Sequence, residues 1–113
     1  VISEVKNSLE QWKLSWERGD FEKYLEFYGP SYFDKFKFKS RNEWIGDRIS
    51  KVNSSKNINI QIDNPEFKMI DENTFEVKFI QLYSSNDYSD KESKVVIFSL
   101  KDGVWLITLE KVI

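Results

Sequence analysis

RNEWIGDRISKVNSSKNINIQID, residues 41–63, changes its repeat part-way through, and that change decides the fold. Trp44, Ile45, Ile49 and Val52 recur at the three- and four-residue steps that gather side chains on one face of an α-helix, with Arg48 on the same side. From Ile58 the step becomes two: Ile58, Ile60 and Ile62 alternate with polar neighbours, as in a strand with one buried face. Ser40 followed by Glu43 is a capping-box pair, the hydroxyl serving an amide of the first turn while the carboxylate reaches back, so a helix is expected over about residues 41–52. The polar run Asn53–Asn57 is the loop between the two regimes.

Upstream of this boundary the helical repeat dominates. Ile2, Val5, Leu9, Trp12 and Trp16 share one face of a helix expected over residues 2–18, which Gly19 ends. Asp20 is placed to cap a second short helix whose Phe21, Tyr24, Leu25 and Tyr28 share a face, and Gly29-Pro30 stops it. The stretch SYFDKFKFK, residues 31–39, fits either a short strand or an irregular crossing, its Phe36-Lys37-Phe38-Lys39 end reading best as an edge strand guarded by lysines.

Downstream the two-residue step persists. Asn64-Pro65 interrupts the first strand, which resumes at Phe67 to Ile70, and Asp71-Glu72-Asn73 is a turn. Thr74 to Ser84 is a long strand with Phe75, Val77, Phe79, Gln81 and Tyr83 on one face. A polar loop, Ser85 to Asp90, leads to a strand over Lys91–Lys101, and Asp102-Gly103 signals a hairpin before Val104 to Ile113. Three helices followed by a run of strands argue for an α+β domain, its antiparallel sheet strongly curved around the helices with a concave pocket at the open end.

Composition narrows the chemistry. The 113 residues suit a single domain, residues 1–113, and 16% aromatic residues supply its core. Val1 in place of Met suggests a piece excised or processed from a longer chain. There is no Cys, His or Ala, so disulfides, thiol nucleophiles, imidazole bases and Cys/His metal sites are excluded, and no cofactor or metal is expected. A net charge of −2 with interspersed signs argues against nucleic acid as a partner, and no apolar run is long enough for a membrane span.

The ordered set Trp12, Trp16, Asp20-Phe21, Tyr24-Leu25-Glu26-Phe27-Tyr28, Trp44, Arg48, Phe79-Ile80-Gln81-Leu82-Tyr83, Lys94, Gly103-Val104-Trp105-Leu106-Ile107 and Glu110 resembles a nuclear transport factor 2 (NTF2)-like domain. The resemblance is to the carboxy-terminal accessory domain of bacterial L,D-transpeptidase or L,D-carboxypeptidase proteins of the cell wall. It implies an α+β cone, three amino-terminal helices in a curved sheet, with a pocket at the wide end. It also implies a place in the cell envelope, with wall chemistry carried by a separate Cys- and His-bearing domain.

Seven residues are candidates for the pocket. Gln81 and Tyr83 share parity with the inward phenylalanines of their strand and would orient a polar ligand such as a glycan or peptide stem. Arg48, beside Trp44, offers a bidentate cation to a carboxylate, or else an internal pair with Glu110. Lys94 is a second partner for Glu110. By simple alternation Glu110 falls with Val104, Leu106 and Thr108, opposite Trp105 and Ile107, unless a bulge shifts it. Tyr28, next to the Gly-Pro break, is expected at the rim and exposed, whereas the tryptophans are expected in the core. The leading expectation is a non-catalytic ligand-binding or scaffolding domain that holds a small polar ligand or a protein partner. The alternatives are a small isomerase- or dehydratase-type enzyme using Tyr83 and Glu110, and a homodimerisation module.

Overall fold

Helix α1 (Ile2–Glu17) opens the chain in the computed structural model, which describes residues 1–53 and 56–113. Its apolar stripe buries Val5, Leu9, Trp12 and Trp16, while Ile2, in the first turn, stays exposed. The helix ends as its sequence dictates: Gly19 takes a φ of +69°, its N–H bonding the Trp16 carbonyl and that of Asp20 the Ser15 carbonyl, so the last carbonyls are satisfied by the following turn. Asp20 then caps α2 (Phe21–Glu26), its carboxylate accepting from Lys23 N–H at 3.2 Å.

The chain leaves α2 before Tyr28 and runs beside the last strand, with Ile107 N–H donating to Phe27 O at 2.7 Å and Gly29 N–H to Ile107 O at 3.0 Å. Residues 31–39 form turns around Asp34 and no strand, which corrects the edge-strand expectation. Asp34 Oδ1 accepts the Phe36 N–H and Asp34 O accepts the N–H groups of Lys37 and Phe38, a local closure that competes with sheet pairing. Helix α3 (Arg41–Asn53) starts at the expected box: Glu43 N–H donates to Ser40 Oγ, and the Glu43 carboxylate takes the Lys39 N–H, one residue further back than the usual pairing. Trp44 and Val52 are buried, but Ile49 is 40% exposed and does not join them. The expected loop Asn53–Asn57 includes Ser54 and Ser55, which lie outside the described residues.

Among the described residues four strands follow, β1 (Asn59–Asp71), β2 (Thr74–Ser84), β3 (Ser89–Lys101) and β4 (Val104–Val112), paired antiparallel in chain order. Asn64-Pro65 bulges β1 without breaking it: Asn64 sits at φ +50°, and pairing with β2 resumes at Glu66↔Lys78. β3 starts two residues earlier than expected, because Ser89 and Asp90 already pair with Ser84 and Tyr83. Asp102 and Gly103, both at positive φ, make the tight β3–β4 turn.

β4 carries the irregularity that matters most. Ile97 pairs with Leu109 and Phe98 with Ile107, so Thr108 is an extra residue opposite one step of β3. Its hydroxyl lies 2.8 Å from Ser99 Oγ. Beyond it the alternation inverts, and Glu110 turns to the face that holds Trp105 and Ile107. The sheet curves around the helices, and the core runs from Phe75 and Trp105 at the hairpin end to Trp12, Trp16 and Phe79 beneath the opening.

Candidate functional site

β2 brings the first polar groups to the opening. Phe75, Val77 and Phe79 fill the core, and the same face continues into Gln81, 2% exposed, and then into Tyr83, whose ring lies 5.6 Å from Trp16. β3 places Lys94 opposite Phe79. The Lys94 ammonium stands over the rings of Trp12 and Trp16, 5.8 and 5.4 Å from their centroids, and donates to Glu110 Oε2 at 2.8 Å. Both partners of that ion pair are largely shielded from water. The bulge at Thr108 makes the pair possible and overturns the outward placement that plain alternation gives Glu110.

Hydrogen bonds extend this pair into a chain with one direction. Tyr28 has a single proton and gives it to Glu110 Oε1 at 2.6 Å. The 2.9 Å contact between the Tyr24 and Tyr28 hydroxyls is therefore donated by Tyr24, whose oxygen in turn accepts Arg48 Nε–H at 3.0 Å. Trp12 Nε1–H also donates to Tyr28 at 3.0 Å. Protons thus point from Arg48 through Tyr24 and Tyr28 to Glu110, with Lys94 arriving from the other side. Tyr32 holds the backbone beneath, its hydroxyl accepting the Glu110 N–H at 3.2 Å and facing the Glu110 carbonyl at 3.3 Å.

Electrostatics follow from the chain. Burial by itself pushes the Glu110 carboxyl up, but Lys94 and Arg48, with the hydrogen bonds from Lys94 and Tyr28, outweigh it and bring its pKa from 4.5 down to about 2. Burial pushes the Tyr24 phenol up to about 12 despite Arg48, and raises Tyr28 further with Glu110 alongside. Arg48 is held more firmly protonated than usual: burial opposes its charge, but Tyr24 and Glu110 overcome that cost. Glu110 is therefore a fixed anion at neutral pH and Arg48 a fixed cation.

A cavity of about 680 Å³ opens beside these groups, within the range of small-molecule sites. Trp16, Trp44, Arg48, Gln81, Tyr83, Lys94 and Glu110 line it, and Phe36, Phe38 and Asp34 of the turn segment form part of its rim. Three lining residues carry buried polar atoms without a hydrogen-bond partner among the described residues, Arg48 Nη2, Gln81 Oε1 and Trp16 Nε1. Arg48 packs against the rings of both Trp16 and Tyr24, 5.1 and 5.6 Å from their centroids, and among the described residues no carboxylate is ion-paired with it. Among the described residues no cluster of three or more acidic side chains converges as a metal site would require.

Six of the seven candidate residues thus meet at one cavity; Tyr28 does not. It is 3% exposed, wedged between Tyr24, Tyr32 and Trp44, and serves the site from beneath through Glu110. The direct Arg48–Glu110 pair is also replaced: Lys94 takes the carboxylate and Arg48 ends on a phenol. Trp16, expected in the core, also lines the cavity; Phe36, expected on an edge strand, lies at its rim; and Tyr24 joins the site as the acceptor of Arg48. The four-residue step joining Tyr24 to Tyr28, both within reach of Arg48, was the available signal for the relay.

Comparison with known proteins fits this geometry. The profile of the Cds6 C-terminal NTF2-like domain family matches residues 4–111. Bd1075 of Bdellovibrio bacteriovorus superposes with a TM-score of 0.84 at 20% identity, over 97% of this chain and 39% of that one. A variant of the helical cell shape determining protein Pgp2 of Campylobacter jejuni gives 0.80 at 19% identity, over 92% of this chain and 38% of that one. A candidate scytalone dehydratase from Novosphingobium aromaticivorans gives 0.79 at 9% identity, over 98% of this chain and 81% of that one. The chain thus spans about two fifths of the Bd1075 and Pgp2 chains. No curated protein matches it by sequence.

Proposed function

The chain belongs to the family of Cds6 C-terminal NTF2-like domains, and on that premise we propose that it is a non-catalytic, ligand-binding accessory domain of a cell-envelope protein that modifies peptidoglycan. The ligand is polar, a glycan or a peptide stem, and it sits in the cavity beside Arg48, Gln81 and Lys94. One observation carries this reading: Arg48 Nη2 and Gln81 Oε1 are buried on residues that line an open cavity and have no hydrogen-bond partner among the described residues. A buried polar atom left unsatisfied costs about 1–3 kcal/mol, and a ligand that supplies the missing partner recovers that cost on binding.

The resemblance to Pgp2, a cell shape determining protein, and to Bd1075 supports the envelope setting, with the chemistry residing in the part of such proteins that this chain does not cover. The enzyme alternative is weaker on the site's own chemistry. Its base would be Glu110, and a carboxyl held near 2 by Lys94 and Arg48 has little proton affinity at neutral pH. The test is titration of the isotopically labelled chain with purified muropeptides, followed by NMR. Shifts confined to Trp16, Gln81, Tyr83 and Lys94, weakened by Gln81→Ala with thermal stability kept, are the expected result; no shift at millimolar ligand overturns the reading.

A further inference from the structure

The unpartnered atoms of the cavity specify which end of a ligand they take. Arg48 presents a donor and a positive charge. Its guanidinium packs against both Trp16 and Tyr24, its Nε is fixed on the Tyr24 oxygen, and its Nη2 has no partner among the described residues. Of the other cations of the wall, Lys94 is paired with Glu110 at 2.8 Å and Lys51 with Asp47 at 3.2 Å, whereas Lys37 and Lys111 are exposed to solvent, so Arg48 is the wall's buried cation without a carboxylate among the described residues. Gln81 presents the opposite need. Its Oε1 is an acceptor without a donor among the described residues, on a side chain 2% exposed, lining the same cavity two residues before Tyr83, which packs on Trp16.

A ligand that satisfies both must bring an anionic acceptor and an N–H or O–H donor into the one cavity that both residues line. A phosphate diester lacks the donor. A neutral sugar has donors and acceptors in plenty but leaves the Arg48 charge unanswered. The carboxyl end of a peptide has both, a carboxylate and, across one Cα, the amide N–H of its last residue, and its flat peptide groups suit the aromatic walls of Trp16, Trp44 and Tyr83. We propose that the cavity is a carboxy-terminus subsite: Arg48 takes the terminal carboxylate of a peptide and Gln81 Oε1 accepts the N–H of its last residue. This rests on the ligand-binding reading above and selects the peptide, by its free end, over the glycan.

The probes are N-acetyl-alanyl-alanine, its C-terminal amide, the ester analogue that replaces the last N–H with oxygen, and the neutral oligosaccharide tetra-N-acetyl-chitotetraose, each titrated calorimetrically or by NMR into the 113-residue chain. The free acid is expected to bind at least tenfold tighter than the amide and several-fold tighter than the ester. Arg48→Gln, which keeps the length and polarity of the side chain, should abolish the preference for acid over amide; Gln81→Met should abolish the preference for acid over ester. The comparison among ligands needs no variant, so it stands even where a substitution disturbs folding. Equal binding of acid and amide overturns the subsite. Binding of tetra-N-acetyl-chitotetraose with Gln81 dependence, and none of the peptide, overturns the subsite while leaving a ligand-binding domain. Failure of all four probes overturns both.

Discussion

Acid should remove a defined share of this fold's stability through one carboxyl. Glu110 is mostly buried, with a side chain 13% exposed, so solvent screens its interactions little. Folded, it titrates near 2, because Lys94, Arg48 and the Tyr28 hydroxyl outweigh the cost of burial; unfolded, it returns to about 4.5. The unfolded chain therefore takes up this proton first. The contribution is complete above about pH 4.5 and is lost as the pH falls towards 2. At about 1.4 kcal/mol for each pH unit between those two values, the carboxyl contributes about 3 kcal/mol. Urea unfolding of the wild-type chain and of Glu110→Gln, followed by the fluorescence of the four tryptophans between pH 7 and pH 2.5, isolates it. At pH 7 the variant should be less stable by about 3–5 kcal/mol, since Lys94 stays buried without its counter-ion. The gap should then narrow by about 1.4 kcal/mol per pH unit below pH 4.5, because only the wild type still has this carboxylate to lose. A gap that stays constant down to pH 2.5 would refute the charged relay.

Three further perturbations probe the frame around that carboxyl. Tyr24→Phe removes the acceptor of Arg48 Nε and the donor to Tyr28, and should cost about 1–3 kcal/mol in chemical denaturation, more than an exposed Tyr→Phe change. Deleting Thr108 removes the extra residue but leaves Leu109 opposite Ile97 and Glu110 opposite Val96, so Glu110 stays on the inner face and the variant should keep the acid-dependent step measured above. Gly46→Ala and Gly103→Ala should move thermal stability in opposite directions by about 1 kcal/mol each: an added Cβ meets nothing within 4 Å at either, but Gly46 lies inside α3, where Ala is favoured, whereas Gly103 sits at φ +79°.

The helices and the meander were legible because each rests on local signals that no tertiary contact overrides. The stripe from Val5 to Trp16, Gly19 at the end of α1, the Asp20 cap, the box at Ser40 and Glu43, and the turn at Asp102-Gly103 all appear as the sequence predicts. The inward face of β2 was legible too, since parity from Phe75 runs unbroken to Gln81 and Tyr83. Residues 31–39 misled because alternation of Phe and Lys is also what a turn produces when its aromatics reach for the rim of a cavity and Asp34 takes the amides that a strand would have paired. Tyr28 misled for a related reason. Gly29-Pro30 ends a helix, and helix ends are commonly exposed, yet here the chain leaving α2 covers the edge of β4 and carries Tyr28 inward.

Glu110 shows where single-strand reading stops and why. Nothing within Val104–Val112 marks Thr108 as an extra residue, because a bulge is a property of two strands and of what lies beneath them. Its justification is distributed over the rest of the chain. Lys94 on β3 and Tyr28 after α2 converge on one buried point that needs an anion, Arg48 on α3 reaches it through Tyr24, and Tyr32 holds the backbone of the residue that supplies it. An outward Glu110 would leave a buried ammonium unpaired, a cost of several kcal/mol, whereas one unpaired ladder position at the edge of a sheet, its Thr108 hydroxyl bonded to Ser99, costs much less. The bulge wins on that difference. Its effect at the cavity is to pair Lys94 with Glu110 and to leave Arg48, anchored at the far end of the relay, as a buried cation with a donor unpartnered among the described residues.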